Sequence, residues 1–267
     1  LKNKGKYPED FSANQYINRN EGINSSAGQK LWRKAINIIP GGTMLFSKNP
    51  NLHLPNLWPT YYSKTNGSYI WDLNNKKFLD MYLMGAGTNL LGYNNKKVDK
   101  AVKDTVSKGN LSSLNSPEEV KLAEKLVNLH PWANMARFTR SGGEANSVAI
   151  RIARAATNRT KVAFCGYHGW HDWYLSANLK NKDNLNSHLL EGLSAKGVPK
   201  NLTGTSYPFK YNDFDGFYKL IKKNPDIGIV KMEVARNEMP RNNFLEKVRE
   251  ITSKKGIILI FDECTSG

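Results

Sequence analysis

The sequence has few cysteines, no long apolar run and a shortage of acidic residues. Cys165 and Cys264 are the only two cysteines among 267 residues, so they form neither a disulfide framework nor a metal-ligand spacing. No apolar stretch approaches the roughly 20 residues that cross a bilayer, and residues 1–11 lack the apolar core of a signal peptide. We therefore expect a cytoplasmic protein in a reducing compartment, with no membrane partner.

The charge balance is strongly positive. The chain has 39 basic and 23 acidic residues, a net charge of +16. A basic α/β domain that binds nucleic acid is one interpretation of this excess. However, the basic residues are spread along the whole chain and form no arginine-rich stripe. We therefore expect no nucleic-acid partner, and we expect the positive field to attract small anions such as phosphates and carboxylates.

Apolar runs alternate with amphipathic segments in the second half of the chain. The pattern predicts strands at 136–140, 161–165, 227–233 and 257–262, and helices at 144–156, 214–223 and 243–254. Continuous apolar strands between helices are typical of a mostly parallel sheet that is covered on both faces. Ligands of such sheets bind outside the carboxyl ends of the strands.

The first part of the chain has a different pattern. A helix is predicted from Ser26 to the break at residues 40–42, and a hairpin is predicted over residues 68–82. Further helices are predicted over 96–107 and directly after Ser116, whose cap we expect Glu119 to complete. We expect an N-terminal segment, residues 1–93, and a large domain, residues 94–267.

Polar groups follow the first two predicted strands. Ser141, Gly142 and Gly143 lead into a helix, and backbone N–H groups in such a turn can hold a phosphate. An ordinary glycine turn capped by Ser141 is the alternative. Tyr167 and His168 follow the second strand and could stack on a planar ligand, or pack under a loop. His168 and His171 are three residues apart and could form a metal-binding pair, but no third metal ligand lies nearby in the sequence, so we expect no metal site.

Carboxylates end the last two predicted strands. Glu233 and Asp262 each follow an apolar run, where a buried carboxylate is costly unless a positive charge or hydrogen bond accompanies it. Each could instead cap the following turn. A Rossmann nucleotide enzyme would need a G-x-G-x-x-G motif, and "SGGEAN" does not supply one. Together, the strand ends favour a planar, cationic, phosphorylated ligand, which describes protonated pyridoxal phosphate.

Several motifs resemble those of one enzyme family. "RFTRSGGEANSVAIRIARAATNRTKV", "YHGWHD" and "FDECTSG" are similar to motifs of the class III, fold-type I pyridoxal-phosphate aminotransferases, especially the branch that resembles glutamate-1-semialdehyde 2,1-aminomutase. The likeness runs from about Ile39 to Gly267. It implies an α/β fold-type I large domain with a mostly parallel sheet of the seven-stranded type, incomplete here, and an N-terminal helix and hairpin segment of the small domain.

The resemblance implies a role for each motif residue. Ser141, Gly142 and Gly143 would hold the cofactor phosphate, with Gly143 standing where the family often has threonine. Tyr167 would stack on the pyridine ring, supported by His168. Asp262 would pair with the protonated ring nitrogen, and Glu233 would lie near the cofactor or substrate. Cys264 would pack on the ring face, and Lys48 would bind a substrate carboxylate.

The resemblance also implies an activity. The enzyme would transfer an amino group between a small-molecule amino donor and a keto or aldehyde acceptor, or move it within one molecule as an aminomutase does. The Schiff-base lysine of the family lies beyond the Asp-Glu strand, and nothing before Gly267 matches its motif. We therefore expect the chain to be the N-terminal part of a longer, homodimeric enzyme, and inactive alone.

Overall fold

The computed structural model describes residues 26–55, 57–82, 84–85, 87–188, 193–235 and 237–267. The described residues divide into two compact units, one that ends at Glu119 and one that runs from Val120 to Gly267. The domain boundary that the sequence suggested, between residues 93 and 94, stays a prediction. Within the described part of the chain, no helix is long and apolar enough to cross a membrane.

The first unit contains a helix, a small antiparallel sheet and a further helix. Its elements are α1 (Ala27–Ile38), β1 (Tyr62–Asn66), β2 (Tyr69–Asp72), β3 (Lys77–Leu79) and α2 (Lys96–Ser107), and α3 (Pro117–Leu129) begins at its end. The predicted hairpin is confirmed as β2 and β3. Its turn is closed by Asp72, whose Oδ1 atom accepts the N–H groups of Asn74 and Lys76 at 2.8 Å each.

The second unit contains a four-stranded parallel sheet. Its strands are β4 (Lys161–Cys165), β5 (Ser206–Pro208), β6 (Ile227–Glu233) and β7 (Ile258–Asp262), in the order β5-β4-β6-β7. Its helices are α4 (Gly142–Thr157), α5 (Asp172–Leu175), α6 (Phe214–Lys223) and α7 (Phe244–Lys254). The predicted parallel sheet is therefore confirmed.

Apolar side chains cover both faces of this sheet. Alternate residues of a strand point to opposite faces, and the buried residues accordingly form two clusters. One cluster joins the sheet to α4 and α5 and contains Ile150, Ala153, Val162, Phe164, Trp173, Tyr174 and Ile229. The other joins the sheet to α6 and α7 and contains Ala163, Phe217, Ile221, Val230, Met232, Phe244 and Val248. The sheet is therefore packed between two layers of helices, and the carboxyl ends of its parallel strands lie together at one end of the sheet.

The predicted strand at residues 136–140 is wrong. This segment has no strand structure and is largely exposed, with Phe138 39% accessible. A strand forms only when neighbouring backbone takes up its N–H and C=O groups. Neither sheet of the described chain includes this segment. The segment therefore leads into the cap of α4 as irregular backbone.

Candidate active site

Three strands end side by side at the carboxyl edge of the parallel sheet. Glu233, the last residue of β6, lies opposite Asp262, the last residue of β7, and Cys165 of β4 lies opposite Met232. Residues opposite each other in a parallel pair share a face. The structure therefore brings the two predicted strand-end carboxylates to the same edge of the sheet.

Asp262 makes close contacts with three polar groups. Its Oδ2 atom lies 2.9 Å from Nδ1 of His168 and 3.1 Å from Nζ of Lys231, and its Oδ1 atom accepts the backbone N–H of Cys264 at 3.2 Å. Burial raises the pKa of Asp262, but the His168 hydrogen bond and the Lys231 charge outweigh it and hold this pKa well below its usual range. Asp262 is therefore a carboxylate at neutral pH.

Lys231 is a site residue that sequence reasoning missed. Its side chain is 1% exposed and lies in the centre of a strand whose seven residues are all buried. Burial lowers the pKa of Lys231, and the charge of Asp262 opposes that effect. The signal was present in "IGIVKME", since a lysine inside an apolar run needs a buried partner.

His168 bridges β7 and the end of β4. Its Nε2 atom lies 3.0 Å from the carbonyl oxygen of Cys165, which can only accept, so both ring nitrogens face acceptors and a neutral ring donates to one of them. Its Nδ1 atom faces the Asp262 carboxylate. Burial lowers the pKa of His168, whereas the hydrogen bond to Asp262 raises it. The imidazole therefore fixes the orientation of Asp262. Support of Tyr167 by His168 stays a prediction.

Glu233 lies against the backbone of Gly166. A Cβ atom at residue 166 would lie only 2.4 Å from Oε2 of Glu233, and this glycine has φ of +104°. Only glycine fits both conditions. Burial, followed by the nearby charge of Glu233, raises the pKa of the Cys165 thiol to about 12. Cys165 is therefore a neutral, unreactive thiol, and its side chain packs in the cluster that joins the sheet to α6 and α7.

The predicted phosphate turn is the N-terminus of α4. Ser141 caps the helix, and its Oγ atom accepts the N–H of Glu144 at 3.3 Å. The N–H groups of Gly142 and Gly143 have no acceptor within the helix, because the first turn lacks preceding carbonyls. A Cβ atom at Gly142 would meet nothing within 4 Å. The turn therefore presents two N–H groups and a hydroxyl beside open space, which suits an anion.

The turn packs against the loop that follows β4. A Cβ atom at residue 143 would lie 2.8 Å from Nε2 of His171, so glycine is needed while His171 stays in place. Nδ1 of His171 is hydrogen-bonded to Oγ of Ser147 at 2.7 Å, and Asn146 donates to the carbonyl of His168 at 3.2 Å. These contacts, which the sequence did not reveal, fix the Tyr167–His171 loop on α4.

The other predicted site residues are less constrained. Tyr167 is half-buried, with its ring edge-on to Tyr174 at 6.0 Å. Cys264 is exposed two residues after the end of β7. Lys48 is exposed at the end of a short 3-10 helix in the first unit, Phe46–Lys48. The roles predicted for these three residues stay predictions. The described residues include no group of three side chains that could hold a metal ion.

Comparison with known proteins identifies the class. Residues 54–267 match the family described as Aminotransferase class-III, so the chain belongs to the class III aminotransferase family. The chain is 31% identical over 255 residues to the 3-aminobutyryl-CoA aminotransferase of Cloacimonas acidaminovorans. It is 34% identical over 246 residues to the glutamate-1-semialdehyde 2,1-aminomutase of Sulfolobus acidocaldarius. These matches cover 92% and 90% of this chain, and 57% and 56% of the relatives.

The fold matches as well. The structure aligns with a PLP-bound form of the FumI protein of Sphingopyxis sp. MTA144, with a TM-score of 0.76 and 26% identity. The alignment covers 90% of this chain and 55% of that protein. The expected fold class, the large-domain fold of the fold-type I transaminases, is therefore confirmed. The chain spans a little over half the length of the relatives it matches.

Proposed function

We propose that the whole protein is a pyridoxal-phosphate-dependent aminotransferase. It would move an amino group between a small-molecule amino donor and a keto or aldehyde acceptor. The observation that carries this proposal is the Asp262 carboxylate, which is nearly buried and kept charged at a strand end by His168 and Lys231. A carboxylate held in this way can stabilise a cationic ring.

The site residues fit the cofactor. The first turn of α4 presents the N–H groups of Gly142 and Gly143 to the phosphate, with the hydroxyl of Ser141 beside them. Asp262 keeps one oxygen, Oδ1, with only a 3.2 Å contact from a backbone N–H. Tyr167 lies between these groups in the sequence and follows the same strand edge. When bound, the cofactor supplies a ring that accepts electrons from the substrate Cα–H bond.

The chain's own residues would orient the ring and hold its proton. Asp262 stays ionised because His168 and Lys231 stabilise its charged form. Its charge would keep a proton on the ring nitrogen, which makes the ring a stronger electron acceptor. His168 is locked between Asp262 and the carbonyl of Cys165, so the carboxylate needs little reorganisation when the ring binds.

A titration of the whole protein with pyridoxal phosphate tests the proposal. We expect visible-range absorbance to develop on binding, and the colour to fade when an amino donor is added. The matched control is Ser141→Ala, which removes the cap and one phosphate contact and should weaken cofactor binding. No visible-range absorbance at any cofactor concentration would refute the proposal.

An aminomutase is the second candidate, because the chain is 34% identical to an enzyme of that name. We place transamination first because the resemblance aligns Lys48 with the carboxylate-binding arginine of the aminomutase-like branch, and lysine lacks the two-pronged geometry of a guanidinium. The two activities are separable by substrate. An aminomutase converts glutamate-1-semialdehyde with no second substrate, whereas a transaminase needs a separate amino acceptor.

We further propose that the whole protein is a homodimer. The segment 53–71 is rich in aromatic residues, which are enriched in interfaces. Within it, Tyr62 is 65% exposed. Light scattering should give twice the mass of one chain, and a monomer mass with cofactor bound would contradict the proposal. A cytoplasmic location likewise stays a prediction.

A further inference from the structure

Lys231 occupies a position where packing alone does not account for a lysine. All seven residues of β6 are buried, and the strand neighbours of Lys231 are Val230 and Met232. An apolar side chain would fill the same space without the cost of removing an ammonium group from water. The Nζ atom of Lys231 lies 3.1 Å from Oδ2 of Asp262, and this carboxylate is the charged partner that burial requires.

Titratable groups from several elements face this pair. They come from the loop after β4, from the end of β6 and from the residues after β7, and they are His168, Glu233 and Cys264. His168 shares Oδ2 of Asp262 with Lys231. A bound, protonated ring nitrogen would therefore share one carboxylate with the Lys231 ammonium and with His168.

We propose that Lys231 is a positioning residue. It orients the Asp262 carboxylate, and it reduces the degree to which this carboxylate stabilises the proton on the cofactor ring nitrogen. The inference rests on the proposed function, because it concerns the same cofactor. A positive charge close to a pyridinium disfavours the protonated ring, and it also draws carboxylate charge toward Oδ2. Lys231 thus lowers the pH at which the ring nitrogen loses its proton.

The test is the substitution Lys231→Met in the whole protein. Methionine has a similar length and no charge, so the packing of β6 is kept. The protein is loaded with pyridoxal phosphate that carries ¹⁵N in the ring, and ¹⁵N NMR follows ring protonation across pH. We expect the midpoint to rise by about one pH unit or more, the size of effect typical of a nearby charge.

The matched control is Lys161→Met. Lys161 lies on the same sheet and pairs with Asp226 at 2.8 Å, but both side chains reach solvent. This variant removes a lysine and an ion pair from the sheet without changing the charge beside Asp262. We expect its midpoint to equal that of the native protein. A simple loss of sheet stability would instead affect both variants in the same way.

The outcomes separate the inference from the proposed function. A Lys231→Met protein that binds cofactor with an unchanged or lowered midpoint overturns the inference and leaves the proposed function standing. Native protein that binds no cofactor overturns both. Should Lys231→Met fail to fold, Lys231→Gln keeps an N–H donor for Asp262 while removing the charge. The same rise is expected for it, and an unchanged midpoint overturns the inference.

Discussion

The two ring nitrogens of His168 both face oxygen acceptors, with Nδ1 at 2.9 Å from Asp262 and Nε2 at 3.0 Å from the carbonyl of Cys165. The imidazole therefore connects the end of β7 to the end of β4. The close contact with this rigid ring, together with the contact to Lys231, leaves Asp262 little freedom to rotate. This relationship makes Asp262 the natural centre of the site and the first target for substitution.

Asp262→Asn removes the charge and keeps the size of the side chain. If Asp262 pairs with the ring nitrogen, this nitrogen should lose its proton near neutral pH and the electron-accepting ring should weaken. Each pKa unit corresponds to about 1.4 kcal/mol, so we expect single-turnover transamination to slow by roughly a hundredfold or more. Cofactor affinity should change less, because the turn at Ser141–Gly143 is untouched.

Glu263→Gln is the matched control for that substitution. Glu263 follows Asp262 directly and is exposed, so its side chain lies away from His168 and Lys231. Single-turnover rates for this variant should stay close to native. Near-native rates for Asp262→Asn together with an inactive Glu263→Gln would show that Asp262 is not the partner of the ring nitrogen.

Much of the parallel sheet was predictable because its signals are local. The apolar runs of β4, β6 and β7 and the cap at Ser141 can be seen in short windows of sequence. The strand expected at 136–140 was wrong because a strand depends on a partner elsewhere in the chain. The expected capping contact of Glu119 was also wrong, since the carboxylate of Glu118, rather than that of Glu119, accepts a hydrogen bond from the Ser116 hydroxyl.

The missed site contacts are all long-range. Lys231 of β6 contacts Asp262 of the neighbouring strand β7. His171 lies close to Gly143, although most of α4 and all of β4 separate them in the sequence. Sequence spacing gives no measure of such distances, because the sheet register and the packing of α4 determine them. The residues that end strands could be predicted, whereas the partners that hold them could not.

Gly166→Ala should be among the most damaging single substitutions in the site. Its new Cβ would lie 2.4 Å from Oε2 of Glu233, and its φ of +104° is outside the range of alanine. Strain and displacement of a buried carboxylate together should cost about 3 kcal/mol or more. Urea denaturation measures this loss in the free energy of unfolding.

Gly197→Ala separates the two causes. This glycine also has a positive φ, +86°, but a Cβ there would meet nothing within 4 Å. Only backbone strain remains, so we expect a loss of about 1 kcal/mol. Equal losses for the two variants would show that the contact between Gly166 and Glu233 contributes little.

Gly143→Ala tests the contact between the phosphate turn and the following loop. The added Cβ would displace His171, whose Nε2 atom is 2.8 Å away, and would break its hydrogen bond to Ser147. We expect a loss of about 1–3 kcal/mol in the free energy of unfolding and weaker cofactor binding. Gly142→Ala, which meets nothing within 4 Å, should lose no more than about 1 kcal/mol.

A double-mutant cycle isolates this contact. His171→Ala removes the ring that the new Cβ would meet, so Gly143→Ala should cost less in that background than in the native one. The expected coupling is about 1 kcal/mol or more, measured by denaturation of all four proteins. Strictly additive losses would mean that the two residues do not constrain each other.

Acidification should destabilise the fold through His188. This side chain is buried, and its Nδ1 atom accepts the N–H of Gly166 at 3.1 Å. Burial, followed by the nearby charge of His168, lowers the pKa of His188 from 6.5 to about 4. A depressed folded-state pKa means that the unfolded chain binds more protons between these values. The stability that neutral His188 contributes is therefore fully present above pH 6.5, and it is lost as the pH falls toward 4.

His188→Asn should reduce this pH dependence, because the asparagine side-chain oxygen can accept the same N–H and does not titrate in this range. The pKa difference of about 2.5 units, 6.5 minus 4, corresponds to about 3 kcal/mol. We expect the native protein to lose up to this much between pH 7 and pH 4 beyond what the variant loses. Denaturation at pH 7, 6, 5 and 4 measures both curves. Parallel curves would show that His188 is not the group whose protonation destabilises the fold in this pH range.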